Sequence, residues 1–274
     1  MNLFDGKKLA AGVMAEVKEL IGEKKLSLGI ISVGDDVVSQ KFVAEKEKRG
    51  SEIGVDVRQY KFSIDESTTS LREKIGDLVK KTEHGGYVVQ LPLPEGINAQ
   101  YILNAIPEAE DVDCLNQKSI GAFAVGRSKI LPPVVGAVKT ILESEHIELQ
   151  RKKIVIVGGG RLVGRPVALW LLSQDLPFTI ITYQSPDLAS HLQVADIIIS
   201  GAGQPHFIGA KAIKDGAVVI DCGTSVDAGQ VKGDIDPSGL ESKSGWFSPV
   251  PGGVGPLTVA YIFLNLARLV TSKN

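Results

Sequence analysis

The sequence predicts an α/β protein of two domains, the second built on a doubly wound parallel sheet of the Rossmann type. Three observations support this fold class. Two runs of alternating strands and helices lie on either side of a segment with adjacent prolines, and a glycine-rich turn directly follows a strand in the second run. The chain has 274 residues, which is long enough for two domains.

The first half alternates helices and strands. Apolar residues recur at helical spacing in its helices and run without interruption in its short strands. The predicted elements are a helix over about 5–23, a strand over 26–33, a helix over 39–53, a strand over 55–62, a helix capped by Thr69 or Ser70, and a strand over 87–91.

The second half repeats the alternation. Strand 153–157 precedes helix 162–172, which contains Pro166. Because proline is tolerated in the first turn of a helix, we expect this helix to begin near Val163 or Gly164. Further strands are predicted over 178–182, 197–200 and 218–221, and a last helix over 258–272.

The boundary between the two halves is expected within 126–136, a segment that holds two adjacent prolines. We therefore predict a first domain over 1–130 and a Rossmann-type domain over 131–255. The last helix follows a loop rich in proline and glycine, and such a late helix often returns to the first domain.

Charge balance and apolar segments argue against several classes of protein. Lys and Arg number 30 against 32 Asp and Glu, a net charge of −2, whereas nucleic-acid binding needs a basic surface. The most apolar stretch, 257–270, is interrupted by Asn265 and Arg268 and is too short to span a membrane. With no signal peptide evident and only Cys114 and Cys222, we expect reduced thiols and a cytoplasmic protein.

The glycine-rich segment Gly158–Gly164 is the first candidate site. Its glycines follow a predicted strand and open a predicted helix, so the backbone can approach a pyrophosphate and the helix N-terminus supplies free N–H groups. This context predicts a dinucleotide site. The alternative is a tight turn that binds nothing.

The end of the next strand bears on the choice of dinucleotide. NAD sites usually carry an acid about 20 residues after the glycines, where it binds the ribose hydroxyls. In this chain the first acid after that strand is Asp187. Arg161 and Arg165 are near enough in sequence to meet a 2′-phosphate, which favours NADP; the alternative is that both lie on a solvated helix face.

Lys46 differs from the other charged residues of its predicted helix. It shares a helical stripe with Phe42, Val43 and Ile53, which places its ammonium group at the edge of the apolar face. Partial burial there would lower its pKa towards the range useful for acid–base catalysis. The alternative is a lysine whose stem covers the core while its head reaches water.

Three further segments place polar groups or exposed backbone where α/β proteins bind ligands. Gln90 ends an apolar strand. Asp113 lies in a mixed apolar loop, where a carboxylate can pair with an aminopyrimidine donor face. Loop 248–256 is stiffened by three prolines. The respective alternatives are an ordinary strand terminus, a turn or helix cap, and a rigid connector.

Taken together, these segments resemble the bifunctional methylenetetrahydrofolate dehydrogenase/methenyltetrahydrofolate cyclohydrolase family nearly from end to end. The strings VGDDVVSQKFVAEKEK, VVQLPLP, DVD and PVPGGVGPLT resemble the family's motifs, and ADIIISGAGQP, GAVVIDCG and GDID fall in the family's order. The resemblance implies two α/β domains with a cleft between them, the last helix (256–274) completing the first. It also implies tetrahydrofolate substrates, NADP or NAD, no metal, a place in purine biosynthesis, and a homodimer formed through the cofactor domain.

The resemblance also implies roles for individual residues. Lys46 falls on the catalytic lysine, Gln90 on the glutamine that partners it, and Asp113 on the aspartate that holds the pterin. The substrate-binding residues implied are Ser39, Phe42, Leu91, Pro251, Gly252 and Gly253. The cofactor-binding residues implied are Gly158, Gly159, Gly160, Arg161, Val163, Gly164, Tyr183, Ser185, Gly201 and Thr224.

Some positions depart from the family's pattern. Phe42 replaces a tyrosine and keeps its stacking face without the hydroxyl, so hydrolysis would be weak if that hydroxyl tunes the lysine. Gly159 and Gly160 replace the usual Arg-Ser, and Tyr183 replaces a polar or basic residue, which leaves NAD open beside NADP.

The implied activity is oxidation of 5,10-methylenetetrahydrofolate to the 5,10-methenyl form, then hydrolysis to 10-formyltetrahydrofolate. In the hydrolysis, Lys46 would transfer protons and Gln90 would orient its amine. The alternatives are a dehydrogenase without hydrolase activity, a silent nucleotide- or folate-binding module, and a two-domain dehydrogenase of another small substrate.

Overall fold

The computed structural model describes residues 1–34, 37–227 and 230–272, with the side chains of 37–39 excepted. The chain divides into two compact units, each with its own parallel sheet. The three-stranded unit comprises Gly12–Pro133 and the chain from Val259 onward. The six-stranded unit comprises Met1–Ala11 and Val134–Thr258.

The elements alternate along the chain as the sequence predicts. The strands are β1 (Asn2–Leu3), β2 (Ser27–Val33), β3 (Asp56–Phe62), β4 (Gly86–Val89), β5 (Ile154–Val157), β6 (Phe178–Ile181), β7 (Ile197–Ser200), β8 (Val218–Asp221), β9 (Ser225–Asp227), β10 (Gln230–Lys232) and β11 (Trp246–Ser248). The helices are α1 (Gly6–Ile21), α2 (Val37–Glu52), α3 (Thr68–Lys81), α4 (Ala99–Leu103), α5 (Gln117–Ala124), α6 (Pro133–Ser144), α7 (Gly164–Ser173), α8 (Leu188–Gln193) and α9 (Val254–Thr271). Helix α7 begins at Gly164, which confirms the predicted start near Val163 or Gly164.

In the three-stranded unit the strand order is β3-β2-β4, with all pairings parallel. Ile31 of β2 pairs with Val89 of β4, and Ile31 is fully buried in a cluster with side chains of α3. The predicted cap of α3 is wrong: Ser67 caps this helix, and its hydroxyl accepts the Ser70 N–H at 3.2 Å. Ser67 stands just before the first helical residue, where such a side chain meets a free N–H group.

In the six-stranded unit the order is β1-β11-β8-β7-β5-β6, again parallel throughout. Because β5 lies between β6 and β7, the chain reverses its winding direction there. Such a switch point opens a crevice at the carboxyl ends of the strands, where doubly wound folds bind their ligands. A separate hairpin of β9 and β10 follows β8.

Each end of the chain belongs to the unit formed by the more distant part of the sequence. Residues 1–11, expected with the first domain, cluster with the six-stranded unit because β1 pairs with β11. The chain from Val259 onward clusters with the three-stranded unit. Helix α9 begins four residues before the expected start and is apolar enough, by length and composition, to cross a membrane. However, 67% of it is buried inside the protein, so packing accounts for its apolar character.

Candidate active site

Lys46 lies on the buried side of α2, with only 6% of its surface exposed. Val43, one helical turn earlier, is 3% exposed, so the apolar stripe predicted for α2 faces the core there. The Lys46 Nζ donates to Gln90 Oε1 at 3.1 Å and to the Phe42 carbonyl oxygen at 3.4 Å. The ammonium group therefore donates its hydrogen bonds to protein acceptors. The alternative, a lysine whose ammonium group reaches water, is wrong.

Burial governs the charge state of this lysine. Desolvation lowers the pKa of Lys46, and the nearby charge of Asp113 partly restores it. A buried amine with a lowered pKa can accept and return a proton near neutral pH, which an exposed lysine cannot do efficiently.

Gln90 follows β4 directly and is anchored by its own backbone, since its N–H donates to the Ile31 carbonyl at 2.8 Å. Its Nε2 donates to the Leu91 carbonyl at 3.1 Å, which leaves Oε1 directed at Lys46. The amide is thereby oriented with its acceptor towards the amine. The strand-end position predicted for Gln90 is confirmed.

Asp113 lies in the loop after the short bridge that joins Asp111 to Tyr87. Burial raises the pKa of Asp113 to about 7, the charge of Asp111 adds to this rise, and Lys46 opposes it. The charges of the Asp113 carboxylate and the Lys46 ammonium therefore interact: each shifts the pKa of the other group. A half-buried acid with a pKa near 7 can pair with a donor face on a ligand at modest cost.

Two residues that the sequence analysis did not assign hold this loop. Asn265 of α9 is fully buried, and its Nδ2 donates to the carbonyls of Val112 and Leu131, each at 2.8 Å. Asp111 accepts the Asn116 N–H at 2.7 Å. Asn265 interrupts an apolar stretch in the sequence, and that interruption was the available indication of its role.

Two further residues implied for the three-stranded unit contribute backbone carbonyls to Lys46 and Gln90. Phe42 is half-buried and contributes its carbonyl to Lys46; Leu91 is half-buried and contributes its carbonyl to Gln90. Ser39 belongs to α2, and its side chain lies outside the described part of the chain. Lys46, Gln90 and Asp113 are thus brought together around the carboxyl edge of the sheet.

A groove of about 560 Å³ lies at the opposite, amino edge of the same sheet. Its wall includes His84, whose ring nitrogens contact the Tyr60 hydroxyl at 2.7 Å and the Ser27 hydroxyl at 2.9 Å. Burial lowers the pKa of His84. Because both ring nitrogens already have partners within the fold, we assign this groove no part in the chemistry.

The glycine-rich segment of the six-stranded unit has the geometry of a phosphate-binding turn. Gly158 has a φ of 99°, and a Cβ there would lie 2.6 Å from the Gly201 carbonyl oxygen. A Cβ on Gly164 would overlap the Gly158 carbonyl, whereas a Cβ on Gly159 would meet open space. Val163 precedes α7 without a side-chain cap. The turn therefore requires glycines and leaves the N-terminus of α7 to bind an anion.

The other residues implied for the cofactor lie on the loops at the same carboxyl edge. Tyr183 is exposed after β6, and the Ser185 hydroxyl accepts the Thr182 N–H at 3.0 Å. Thr224 is exposed after β8, and Arg161 is half-buried between Gly160 and α7.

The Pro251–Gly253 turn ends just before α9. There the Gly253 N–H donates to the Pro249 carbonyl at 2.7 Å, and Gly252 has a φ of 109°. The loop is therefore a closed turn with backbone bonds of its own.

Comparison with known proteins bears directly on this arrangement. The model of the tetrahydrofolate dehydrogenase/cyclohydrolase catalytic domain matches residues 4–113, and that of the NAD(P)-binding domain matches residues 132–274. The chain belongs to this family. The resemblance described above is therefore confirmed, as is the α/β fold class with a Rossmann-like cofactor domain.

Curated relatives of the family match nearly the full length of the chain. The bifunctional protein FolD of Moorella thermoacetica is 36% identical over 270 residues, covering 96% of each chain. Bifunctional protein FolD 2 of Pseudomonas putida is 36% identical over 274 residues, covering 97% of this chain and 90% of that one.

Solved structures of the family also match over nearly the whole chain. The bifunctional enzyme FolD of Campylobacter jejuni superposes with a TM-score of 0.92 at 32% identity, covering all of both chains. The Trypanosoma brucei enzyme, solved with NADP and an inhibitor, has a TM-score of 0.92 at 28% identity, covering 99% of this chain and 97% of that one.

Proposed function

We propose that this chain oxidises 5,10-methylenetetrahydrofolate to the 5,10-methenyl form, using NADP, and then hydrolyses that product to 10-formyltetrahydrofolate. The observation that supports the hydrolysis most strongly is the buried Lys46 amine held on Gln90 beside Asp113. The glycine-rich turn before α7 supports the dinucleotide-dependent oxidation. Membership of the dehydrogenase/cyclohydrolase family supports the same conclusion.

In the oxidation, the chain's task is to bind and align its two reactants. Bound NADP supplies the hydride acceptor. Asp113 pairs with the donor face of the pterin, and the half-buried ring of Phe42 offers a face for stacking. Holding both reacting carbons in fixed orientation contributes a large part of the rate in reactions of this kind.

In the hydrolysis, water adds to the methenyl carbon and loses one proton to the Lys46 amine. The bond from that carbon to N5 then breaks, N5 takes a proton from the lysine, and the new hydroxyl loses its proton as it becomes the formyl oxygen. One proton is released in total. Gln90 keeps the amine in place during both transfers, since its Oε1 accepts from Nζ.

Phe42 lacks the hydroxyl of the tyrosine that the family usually has at this position. This absence favours a second candidate, a dehydrogenase with little hydrolase activity. However, both acceptors that hold Lys46 Nζ, the Gln90 amide and the Phe42 backbone carbonyl, are independent of that hydroxyl. We therefore favour the bifunctional enzyme.

NADP is the cofactor we propose, for two reasons. The turn after β6 offers the exposed polar groups of Tyr183 and Gln184 and no acid before Asp187. Arg165, whose Nε donates to the Gly159 carbonyl at 3.1 Å, lies beside the glycine turn and can bind a 2′-phosphate. The NADP complex of the Trypanosoma brucei enzyme supports this choice.

A two-wavelength assay with 5,10-methylenetetrahydrofolate tests these proposals. Reduced cofactor is followed at one wavelength and the methenyl intermediate at the other, once with NADP and once with NAD. We expect reduced cofactor with little methenyl accumulation, and faster turnover with NADP. Matching accumulation of both would favour the dehydrogenase-only candidate, and no reduced cofactor with either dinucleotide would contradict the proposed activity.

We also propose that two copies associate through the cofactor-binding unit. Strand β6 pairs with β5 and ends the described sheet, and its Ile180 is 43% exposed. An open edge strand with apolar side chains is a template for pairing, and a two-fold axis lets the same edge serve both copies. Light scattering should give the mass of a dimer, and Ile180→Lys should shift it towards a monomer. A wild-type monomer would contradict this proposal.

A further inference from the structure

Two buried carboxylates of the six-stranded unit take no part in the proposed oxidation or hydrolysis. Asp221 ends β8 and is 1% exposed; Asp234 follows β10 and is 0% exposed. Asp234 accepts the Ser200 hydroxyl and the Ala202 N–H, each at 2.7 Å, and the Gln204 N–H at 2.9 Å. One side chain thus binds the end of β7 and the loop that follows it.

Asp221 in turn holds the backbone from which Asp234 projects. It accepts the Gly223 N–H at 2.9 Å, the Asp234 N–H at 3.1 Å and the Ile235 N–H at 2.9 Å. A Cβ on Gly223 would lie 2.5 Å from the Asp234 carboxylate, and one on Gly233 would overlap the Asp221 carboxylate. Glycines at these positions let the backbone wrap closely around both acids.

The loop that Asp234 binds, residues 201–204, lies against the glycine-rich turn. A Cβ on Gly201 would overlap the Val163 side chain, and the Gly201 carbonyl is the atom that a Cβ on Gly158 would meet. These two loops follow β7 and β5, the strands at the switch point of the sheet. The position of loop 201–204 therefore sets the shape of the crevice between them.

The cost of burying both acids indicates that the loop position matters. Their partners are backbone N–H groups and one serine hydroxyl, and burial raises the pKa of Asp221. Burying a carboxylate without a cation beside it costs a fold free energy, whereas the hydrogen bonds that the carboxylate accepts are strong and directional. The bonds from Asp234 therefore restrict loop 201–204 to one conformation.

We propose that Asp234, itself held by Asp221, is a positioning residue for the dinucleotide site. It fixes loop 201–204 against the glycine-rich turn, so that the crevice is formed before the dinucleotide binds. This inference rests on the proposed dehydrogenase function. It assigns no contact between Asp234 and the dinucleotide; the acid acts through the loop.

The test is the dissociation constant for NADP, measured by calorimetry on the full chain. In Asp234→Asn the amide has one acceptor oxygen, so its NH2 group must face an N–H group or the serine hydroxyl of the loop. We expect the dissociation constant to rise at least about tenfold, and that for NAD to rise in parallel because the loop serves both. Hydrolysis of supplied 5,10-methenyltetrahydrofolate, which consumes no dinucleotide, should lose much less.

Asp196→Asn is the matched control. Asp196 immediately precedes β7, at the opposite end of the strand from Ser200, and accepts the Lys153 N–H at 2.9 Å. The same chemical change thus weakens a carboxylate–backbone bond at the amino edge of the sheet and removes an ion pair with Lys214. We expect a dissociation constant for NADP within about twofold of wild type.

Each outcome decides the inference. A wild-type dissociation constant for Asp234→Asn overturns it, and so does an equal rise in Asp196→Asn. If Asp234→Asn does not fold, Ser200→Ala decides: measured at a temperature well below its melting point, we expect about a threefold rise in the dissociation constant, and no rise overturns the inference. If the wild-type chain binds neither dinucleotide, the proposed dehydrogenase function fails first, and the inference falls with it.

Discussion

Replacing Lys46 by methionine separates the hydrolysis from substrate binding. Methionine is unbranched like lysine, so it keeps most of the apolar packing of the stem but removes the amine. The change leaves Gln90 Oε1 without the donor that lies 3.1 Å away. A lost buried partner of this kind costs about 1–3 kcal/mol, but the variant also escapes the cost of burying an ammonium group. We therefore expect Lys46→Met to fold.

The expected loss of activity follows from the role of the amine. Proton transfer by a positioned side chain contributes about 10²–10⁴-fold to a rate, which corresponds to about 3–5 kcal/mol of transition-state stabilisation. Since Lys46 is the buried amine of the site, we expect hydrolysis of 5,10-methenyltetrahydrofolate to fall at least about 100-fold. The affinity for a tetrahydrofolate analogue should stay within about threefold, because Asp113 remains.

The assay follows the decay of methenyl absorbance with purified variants at fixed pH. Lys48→Met is the matched control, since Lys48 is an exposed lysine of the same helix. It should hydrolyse at the wild-type rate. If Lys46→Met also hydrolysed within about twofold of wild type, the proton-transfer role would be refuted.

Three further predictions concern the substrate loop and the cofactor turn. Asp113→Asn should weaken binding of a tetrahydrofolate analogue at least about tenfold in calorimetry, since hydrogen bonds to charged groups are worth roughly 1.5–3 kcal/mol; the exposed Asp65→Asn should not, and equal affinities would remove Asp113 from the site. The pKa of Asp113 is raised to about 7, so its contribution to stability is present at pH below about 4 and is lost as the pH rises through 7. The melting temperature of wild type minus that of Asp113→Asn should therefore fall between pH 5 and pH 8, and a constant difference would contradict the raised pKa. Gly201→Ala should raise the dissociation constant for NADP because its Cβ has no room, whereas Gly209→Ala, where a Cβ meets open space, should leave it unchanged; equal effects would show that crowding at Gly201 is not the cause.

The buried amide of Asn265 leads to a fifth prediction. Asn265→Leu leaves the Val112 carbonyl of the Asp113 loop and the Leu131 carbonyl before α6 without their donor, so we expect a loss of about 1–3 kcal/mol in the free energy of unfolding. The same variant should bind the tetrahydrofolate analogue less tightly, because the loop is no longer held. A stable variant with wild-type affinity would show that Asn265 does not position Asp113.

Local pattern was sufficient for much of the fold and for the chemistry of the site. Strand, glycine turn and helix follow one another directly at Gly158–Gly164, so their geometry depends on neighbours in sequence and could be predicted. The helical spacing of Val43 and Lys46 placed the lysine on an apolar face in the same way. Family motifs then named Gln90 and Asp113, which lie near Lys46 in the fold as expected.

Whether Lys46 reaches water depended on contacts that no helical pattern contains. Its acceptor Gln90 lies 44 residues away, directly after β4, and comes within reach of Lys46 only after the chain has folded. The same pattern of apolar spacing fits a lysine with its head in solvent. Only the position of the Gln90 amide decided between them.

The sequence by itself determined the order of the elements, the glycine turn and the residue types of the site. The tertiary structure alone decided which distant segments come into contact. Strand β1 pairs with β11, and Asn265 donates to carbonyls 153 and 134 residues away. Asp234 accepts hydrogen bonds from a loop about 30 residues earlier. The physical reason is that periodicity reports only which face of an element is buried. A buried polar group finds its partner through the packing of the whole chain, and that partner leaves no trace in the local pattern.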